Sequence, residues 1–300
     1  MDVVSRLLMR PTLGKAFVAV VSEHSATLGA KPVVRRGTLM AVYQDKARER
    51  VAKGLRRFKI VAQKARANGA KESDTRMVVS SIISDALGWD AFDNLTGEYR
   101  IKGSFADFVL RKDGKHFVII EVKAITSRLN DNHLYQAVSY AASEGVEWVI
   151  LTNGAEWRLY RVLFNKPVEH ELIFEVSLLD EDMKPKDKVD LMYLLTPEAQ
   201  RKDELEAFYQ RKRALSPNNV AKLMLSESVL TKLRTEIKAD SGNRIALDEL
   251  AEMLVDCVIR ADAQGDHVDK QLKRVQRAAK APRKVNVACA PESAVQEDVL

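Results

Sequence analysis

The stretch Phe117-Val118-Ile119-Ile120-Glu121-Val122-Lys123-Ala124 decides how this 300-residue chain folds. It is apolar on both faces, as a strand covered on both sides is, until two charges interrupt one face. Period-two alternation puts Glu121 and Lys123 side by side on that face. Burying two charges at the end of a core strand is expensive unless they are paired or hold a metal. On this strand alone, an i, i+2 ion pair surfacing into solvent explains them equally well.

The preceding segment shifts that balance. Ser104-Phe105-Ala106-Asp107-Phe108-Val109-Leu110 again holds one charge in a run of strand formers, and Asp113-Gly114 is a turn that folds it back beside the Glu121 strand. Two carboxylates on adjacent strands, with a lysine two residues beyond one of them, make a compact oxygen site suited to magnesium, with manganese as the substitute. Such an ion polarises a phosphoryl oxygen, and a nearby ammonium orients water or offsets developing negative charge.

Working outward, Val78, Ile82 and Ala86 recur at fourfold spacing after a Ser73-Asp74 cap signal, with Gly88 as the stop, and predict a core-facing helix. A strand follows at Tyr99 to Ile101. Helical character returns from Leu129 to Ser143. Trp148 to Thr152, an Asn153-Gly154 hairpin signal, Trp157 to Val162 and Leu172 to Val176 predict further strands. Past Asp180 the pattern turns helical: Thr196-Pro197 and Ser216-Pro217 each set a capping hydroxyl before a proline, and a helix is expected over Asp248 to Ile259. Trp148 and Trp157 are assigned to packing rather than to base stacking.

Before this core, Tyr43 to Ala67 reads as a cationic helix with a thin apolar stripe of Val51, Leu55, Phe58 and Ala62. It is either a solvated surface helix or a phosphate-contacting one, through Arg56, Arg57 and Lys59. Residues 1–39 lack periodicity and read as a loosely ordered extension, with Met40 a candidate natural start. Residues from Ala281 read as a flexible tail.

Composition narrows the function classes. The formal charge of +6 suits a polyanion partner. It is unevenly spread: nine bases against two acids from Met40 to Ala67, seven bases and no acid from Lys270 to Lys284, and twelve acids against six bases from Lys166 to Tyr209. No apolar run is long enough for a membrane helix, so no membrane partner and a cytoplasmic location are expected. Cys257 and Cys289 lack matching histidine pairs and support neither a disulfide framework nor a structural zinc site. The five histidines lack metal-ligand spacing; His133, near Gln136, is the one to watch, and a surface role is expected for it.

Ala106-Asp107 followed by Glu121-Val122-Lys123 resembles the D…E-x-K signature of PD-(D/E)XK nucleases, with Ala106 in place of the family's proline. Closer still is the N-terminal nuclease domain of type I restriction enzyme R subunits. The resemblance rests on Leu87-Gly88-Trp89-Asp90, Gln136-Ala137-Val138-Ser139-Tyr140 and Val149-Ile150-Leu151-Thr152-Asn153-Gly154-Ala155-Glu156-Trp157, and covers about Glu72 to Val176. It implies an α/β restriction-endonuclease-like core with a mixed central sheet flanked by helices, followed by a helical C-terminal region. The organisation expected is a 1–39 extension, a 40–71 basic helix, a 72–180 nuclease core, a 181–280 helical region and a 281–300 tail.

The resemblance also implies roles. Asp107 and Glu121 would bind the metal, Val122 would lend its carbonyl, and Lys123 would position the attacking water. Glu72 matches an acid that many members place near the metal, but a helix-start acid favoured by the macrodipole explains it as well. Gln136 and Tyr140, one helical turn apart, resemble the Q-x-x-x-Y motif beside the active site or DNA; a core pair is the other reading. DNA is the implied substrate, and a stand-alone defence or phage-related nuclease is the setting expected. The 300 residues contain no Gly-x-x-x-x-Gly-Lys-Ser/Thr phosphate loop, so no helicase motor is expected on them. The helical region is a candidate for DNA binding, for homodimerisation or for a protein partner. The rival function is a nuclease-like fold kept as a silent DNA- or partner-binding module.

Overall fold

The computed structural model describes residues 36–101 and 104–280. The expected extension, apart from its last helical turn, and the expected tail lie outside the described residues. Six strands form one mixed sheet in chain order: β1 (Leu95–Ile101), β2 (Ser104–Lys112), β3 (Lys115–Val122), β4 (Trp148–Thr152), β5 (Glu156–Leu163) and β6 (Glu169–Ser177). Every neighbouring pair is antiparallel except β3 and β4. A parallel pair needs a crossover, and α3 (Asp131–Glu144) supplies it, capped by Asn130, whose side chain accepts the His133 amide.

The turns explain the register. Asp113 and Gly114 both take positive φ, 51° and 74°, the left-handed pair that a tight β2–β3 hairpin requires. The β4–β5 connection is one residue longer than a two-residue turn, because Asn153, Gly154 and Ala155 separate the strands. There the Asn153 side chain accepts the Ala155 and Glu156 amides.

Each face of the sheet is covered. Val118, Ile120 and Val122 of β3 pack with Val51, Leu55 and Phe58 of α1 (Arg36–Ala67) and with Val79 of α2 (Glu72–Ser81). Ile119, Val149 and Leu151 point the other way, onto Leu134, Ala137, Val138 and Ala141 of α3. The stripe expected on a surface helix is thus a buried seam: Val51 and Ala62 are fully covered, and only the opposite side of α1 is solvated. Gly54 lets α1 cross close to α2's continuation, since a Cβ there would stand 2.3 Å from that of Ala86.

Two local departures have physical causes. Lys71, not Ser73, is the N-cap of α2; Asp74 sits three residues on and accepts the Lys71 amide at 3.2 Å. Beyond Ser81 the helix continues as a π-helical turn, Ile82–Leu87, which keeps Ile82, Ile83, Ala86 and Leu87 all buried before Gly88 ends it at φ 85°.

The main core does not stop at residue 180. Met192 of α4 (Pro185–Tyr193), Leu194 and Leu195, and Leu205 and Tyr209 of α6 (Glu204–Ala214) belong to it, and the Trp89 indole donates to the Leu195 carbonyl at 2.7 Å. Between α4 and α6 lies the short α5 (Pro197–Gln200), capped by Thr196 as its Thr-Pro pair predicts. Trp148 and Trp157 are both buried. From Pro217 a separate core forms among α7 (Pro217–Met224), α8 (Glu227–Ser241), α9 (Leu247–Met253) and α10 (Asp266–Lys280), built on Leu225, Leu230, Leu250, Leu254 and Val268. No helix among the described residues is long and apolar enough to cross a membrane.

Candidate active site

The carboxyl end of β3, where the sheet changes from antiparallel to parallel pairing, gathers the charged residues that the strand pattern singled out. Phe108 pairs with Ile120, so Asp107 and Glu121 stand opposite one another one step further along. There the Asp107 side chain takes over the ladder, its Oδ2 accepting the Val122 amide at 2.8 Å. Glu121 is 2% exposed, and its Oε1 accepts from Lys123 Nζ at 2.6 Å. Its Oε2 is buried with no hydrogen-bond partner. Lys123 lies just past the strand, held by its amide on the Thr152 carbonyl of β4 at 2.8 Å.

The N-terminal turns of α2 close the other side. Glu72 Oε2 stands 4.0 Å from Lys123 Nζ, and Arg76, one helical turn on, places Nη1 3.3 Å from Asp107 Oδ1. The same nitrogen lies 3.3 Å from Glu98 Oε1. Glu98 falls opposite Asp107 across β1, between the pairs Gly97–Phe108 and Tyr99–Ala106, with φ at 49°. A non-glycine residue held in that region costs about 1–3 kcal/mol and clusters at functional sites. Glu98, Asp107 and Glu121 therefore form a row across three neighbouring strands.

Electrostatics follow from this crowding. Burial, then the charges of Asp107 and Glu72, push Glu121 up to about 7, against the pull of Lys123. Burial likewise raises Asp107, while the Val122 amide and Arg76 resist. Burial alone would lower Lys123, but its bond to Glu121 and the surrounding carboxylates outweigh it, and the ammonium is held above its ordinary range. A lysine kept charged beside a carboxylate that resists ionisation can act on water or on phosphate.

Gln136 and Tyr140 meet each other, Gln136 Nε2 donating to the Tyr140 hydroxyl at 3.0 Å. Tyr140 packs in the α3-side core with Ala106 and Ile119, but among the described hydrogen bonds none joins the pair to the carboxylates. His133, on the same side of α3, is half-buried, and its Nδ1 has no partner. Burial and then the Lys123 charge lower its pKa, so its surroundings are less exposed than its surface assignment implied. Arg57 and Lys59 of α1 are paired with Asp85 and Glu181 at 3.0 and 3.2 Å, while Arg56 is exposed. None of the three is bonded to the cluster.

Sequence reasoning missed Arg76 and Glu98. Arg76 occupies an ordinary amphipathic helix, and the backbone of Glu98 leaves no trace in composition. Among the described residues no group of three or more His, Cys, Asp or Glu is arranged to hold a metal ion. The donors on β2 and β3 are two carboxylates and the Val122 end of the strand, and the unpartnered Glu121 oxygen beside Asp107 fits the oxygen-rich shell of a hard cation. An open cleft of about 590 Å³ lies elsewhere, lined by Arg128, Asn130, Arg158 and Glu175, and holds none of the predicted site residues.

No curated protein and no solved structure matches the chain. Residues 73–175, about a third of the chain, match the family model of the type I restriction enzyme R protein N terminus, and that segment contains every residue of the cluster except Glu72, which immediately precedes it.

Proposed function

We propose that the chain is a divalent-metal-dependent phosphodiesterase with a PD-(D/E)XK-type core, acting on DNA. The observation that carries this reading is Glu121: a carboxylate buried at a strand end, with one oxygen unpartnered, beside a second carboxylate and a charged lysine. The match to the R protein N terminus supports it. Asp107, Glu121 and the Val122 carbonyl would hold Mg2+, or Mn2+ in its place, which supplies positive charge against the phosphoryl group under attack. Lys123 holds a proton-bearing Nζ at the attacked phosphate, where it orients water or offsets the charge that develops. Glu72 limits where Lys123 can point. Arg76 aims Asp107, and Gln136 with Tyr140 lines the α3 side. Arg56, Arg57 and Lys59 supply phosphate contacts, since exposed pairs such as Arg57–Asp85 are weak enough to exchange, and such contacts carry no base information.

A second reading, a silent binding module, draws on a specific observation: three of the four carboxylate oxygens of Asp107 and Glu121 already have protein partners. One experiment separates the two. Wild type should cut duplex or single-stranded DNA with magnesium or manganese and gain melting temperature on adding the ion, and Glu121→Ala should lose both. A wild type that binds DNA and cuts no substrate with either ion gives the site to the binding module.

A further inference from the structure

The last described helix, α10, divides its surface cleanly. Val268 and Val275 are buried in the C-terminal core, with Leu272 packed between them. Lys270, Lys273, Arg274 and Arg277, at i, i+3, i+4 and i+7, are all exposed. By helical geometry they fill about a third of the circumference, opposite the buried seam, over about 10 Å of helix. The helix's two acids, Asp266 and Asp269, precede the stripe.

These bases lie together on one helix face and differ from the ion-paired surface cations. Lys186, Lys232 and Arg260 each have an acid within 3.0 Å on their own segment. Among the described residues none of the four α10 bases has such a partner. Glu252 of α9, which reaches this helix, accepts from Gln276 and not from the stripe. Gln271 fixes the helix to the carbonyl of Leu225, the residue just past α7, so the face is presented from a packed unit.

We propose that this face of α10 is a docking surface for the phosphate backbone of duplex DNA. The inference rests on the nuclease reading for its choice of polyanion. The stripe is one-sided and, among the described residues, without ion-pair partners, and it is long enough to meet two or three successive phosphates of one strand. Its contacts release counterions and are blind to base sequence. They would hold substrate without entering the chemistry at Asp107, Glu121 and Lys123.

The test is the salt dependence of binding to mixed-sequence duplex DNA, read by fluorescence anisotropy on the full chain in EDTA, so that the result does not depend on whether the chain cuts. The triple variant Lys270→Gln, Lys273→Gln, Arg277→Gln should bind about tenfold or more weakly at low salt, with the slope of log affinity against log salt shallower by about two to three. A matched variant, Lys186→Gln, Lys232→Gln, Arg260→Gln, removes the same charge from three separate segments that form no stripe and should stay close to wild type. Circular dichroism on both variants keeps a folding defect visible, and Lys270→Glu alone, at an exposed position, gives a second reading of the same slope. Equal losses in the two triple variants would reduce the effect to net charge and overturn the proposal. So would wild-type affinity in the stripe variant, or a stripe that binds anionic phosphatidylserine vesicles and leaves DNA affinity untouched.

Discussion

Two charged clusters in this molecule meet opposite fates. At the α1–α5 junction, Arg50 grips both oxygens of Glu198 at 2.8 Å and also donates to the Ala86 and Leu87 carbonyls, closing the end of the π-helical turn. Burial alone would raise Glu198, but Arg50, with the Glu198 amide and Arg201, outweighs it and holds the carboxyl below its ordinary range. At the end of β3, Glu121 has one partner, an unpartnered oxygen and a pKa pushed up to about 7. A satisfied ion pair secures the fold; a crowded, half-satisfied one burdens it and is suited to chemistry.

If the β3 cluster serves chemistry, disturbing it should cost rate and leave the fold. The larger effect is expected at Arg76: Arg76→Ala should slow metal-dependent cleavage by about 10- to 100-fold, as loss of residues that orient metal-binding carboxylates does. Arg76→Lys, which keeps the charge and loses the planar fork, should recover part of that rate. A rate unchanged in Arg76→Ala would remove Arg76 from the site. Apparent metal affinity, read by titration in the same series, separates aiming of Asp107 from general loosening.

The smaller effect belongs to the clamp. Glu198→Gln should destabilise by about 1–3 kcal/mol, the scale of hydrogen bonds to a charged group, and lower the melting temperature by several degrees. Because the folded pKa of Glu198 lies below its unfolded value, its contribution is fully present above the ordinary carboxylate range. It is lost as pH falls through the folded pKa. Wild type and variant should therefore melt apart at pH 7 and converge in acid. A gap that persists well below the carboxylate range would mean that shape, not charge, carries the junction.

Much of the sheet was legible because period-two alternation and Asp113-Gly114 leave local signals. Asp107, Glu121 and Lys123 stood out for the same reason: each is a lone charge in a run of strand formers. Other features were hidden because they are made by packing. Val51 and Ala62 read as a thin stripe on a helix until the sheet covers Val51 and the segments at its end, Ile125 and Ala155, cover Ala62. The Ser73-Asp74 cap signal lies two residues inside the helix, since the Asp74 bond to the Lys71 amide depends on where the chain enters it. Arg76 and Glu98 are ordinary surface residues in sequence and acquire meaning only opposite Asp107.

The most direct test of this division is the magnesium-dependent cleavage rate of wild type, Lys123→Ala and Glu198→Gln on one DNA substrate, at a temperature where all three are folded. If the division holds, wild type and Glu198→Gln cut at similar rates, while Lys123→Ala loses about 10²- to 10³-fold or more, the scale set by losing a group that stabilises developing charge. A Lys123→Ala protein that cuts as fast as wild type would contradict it.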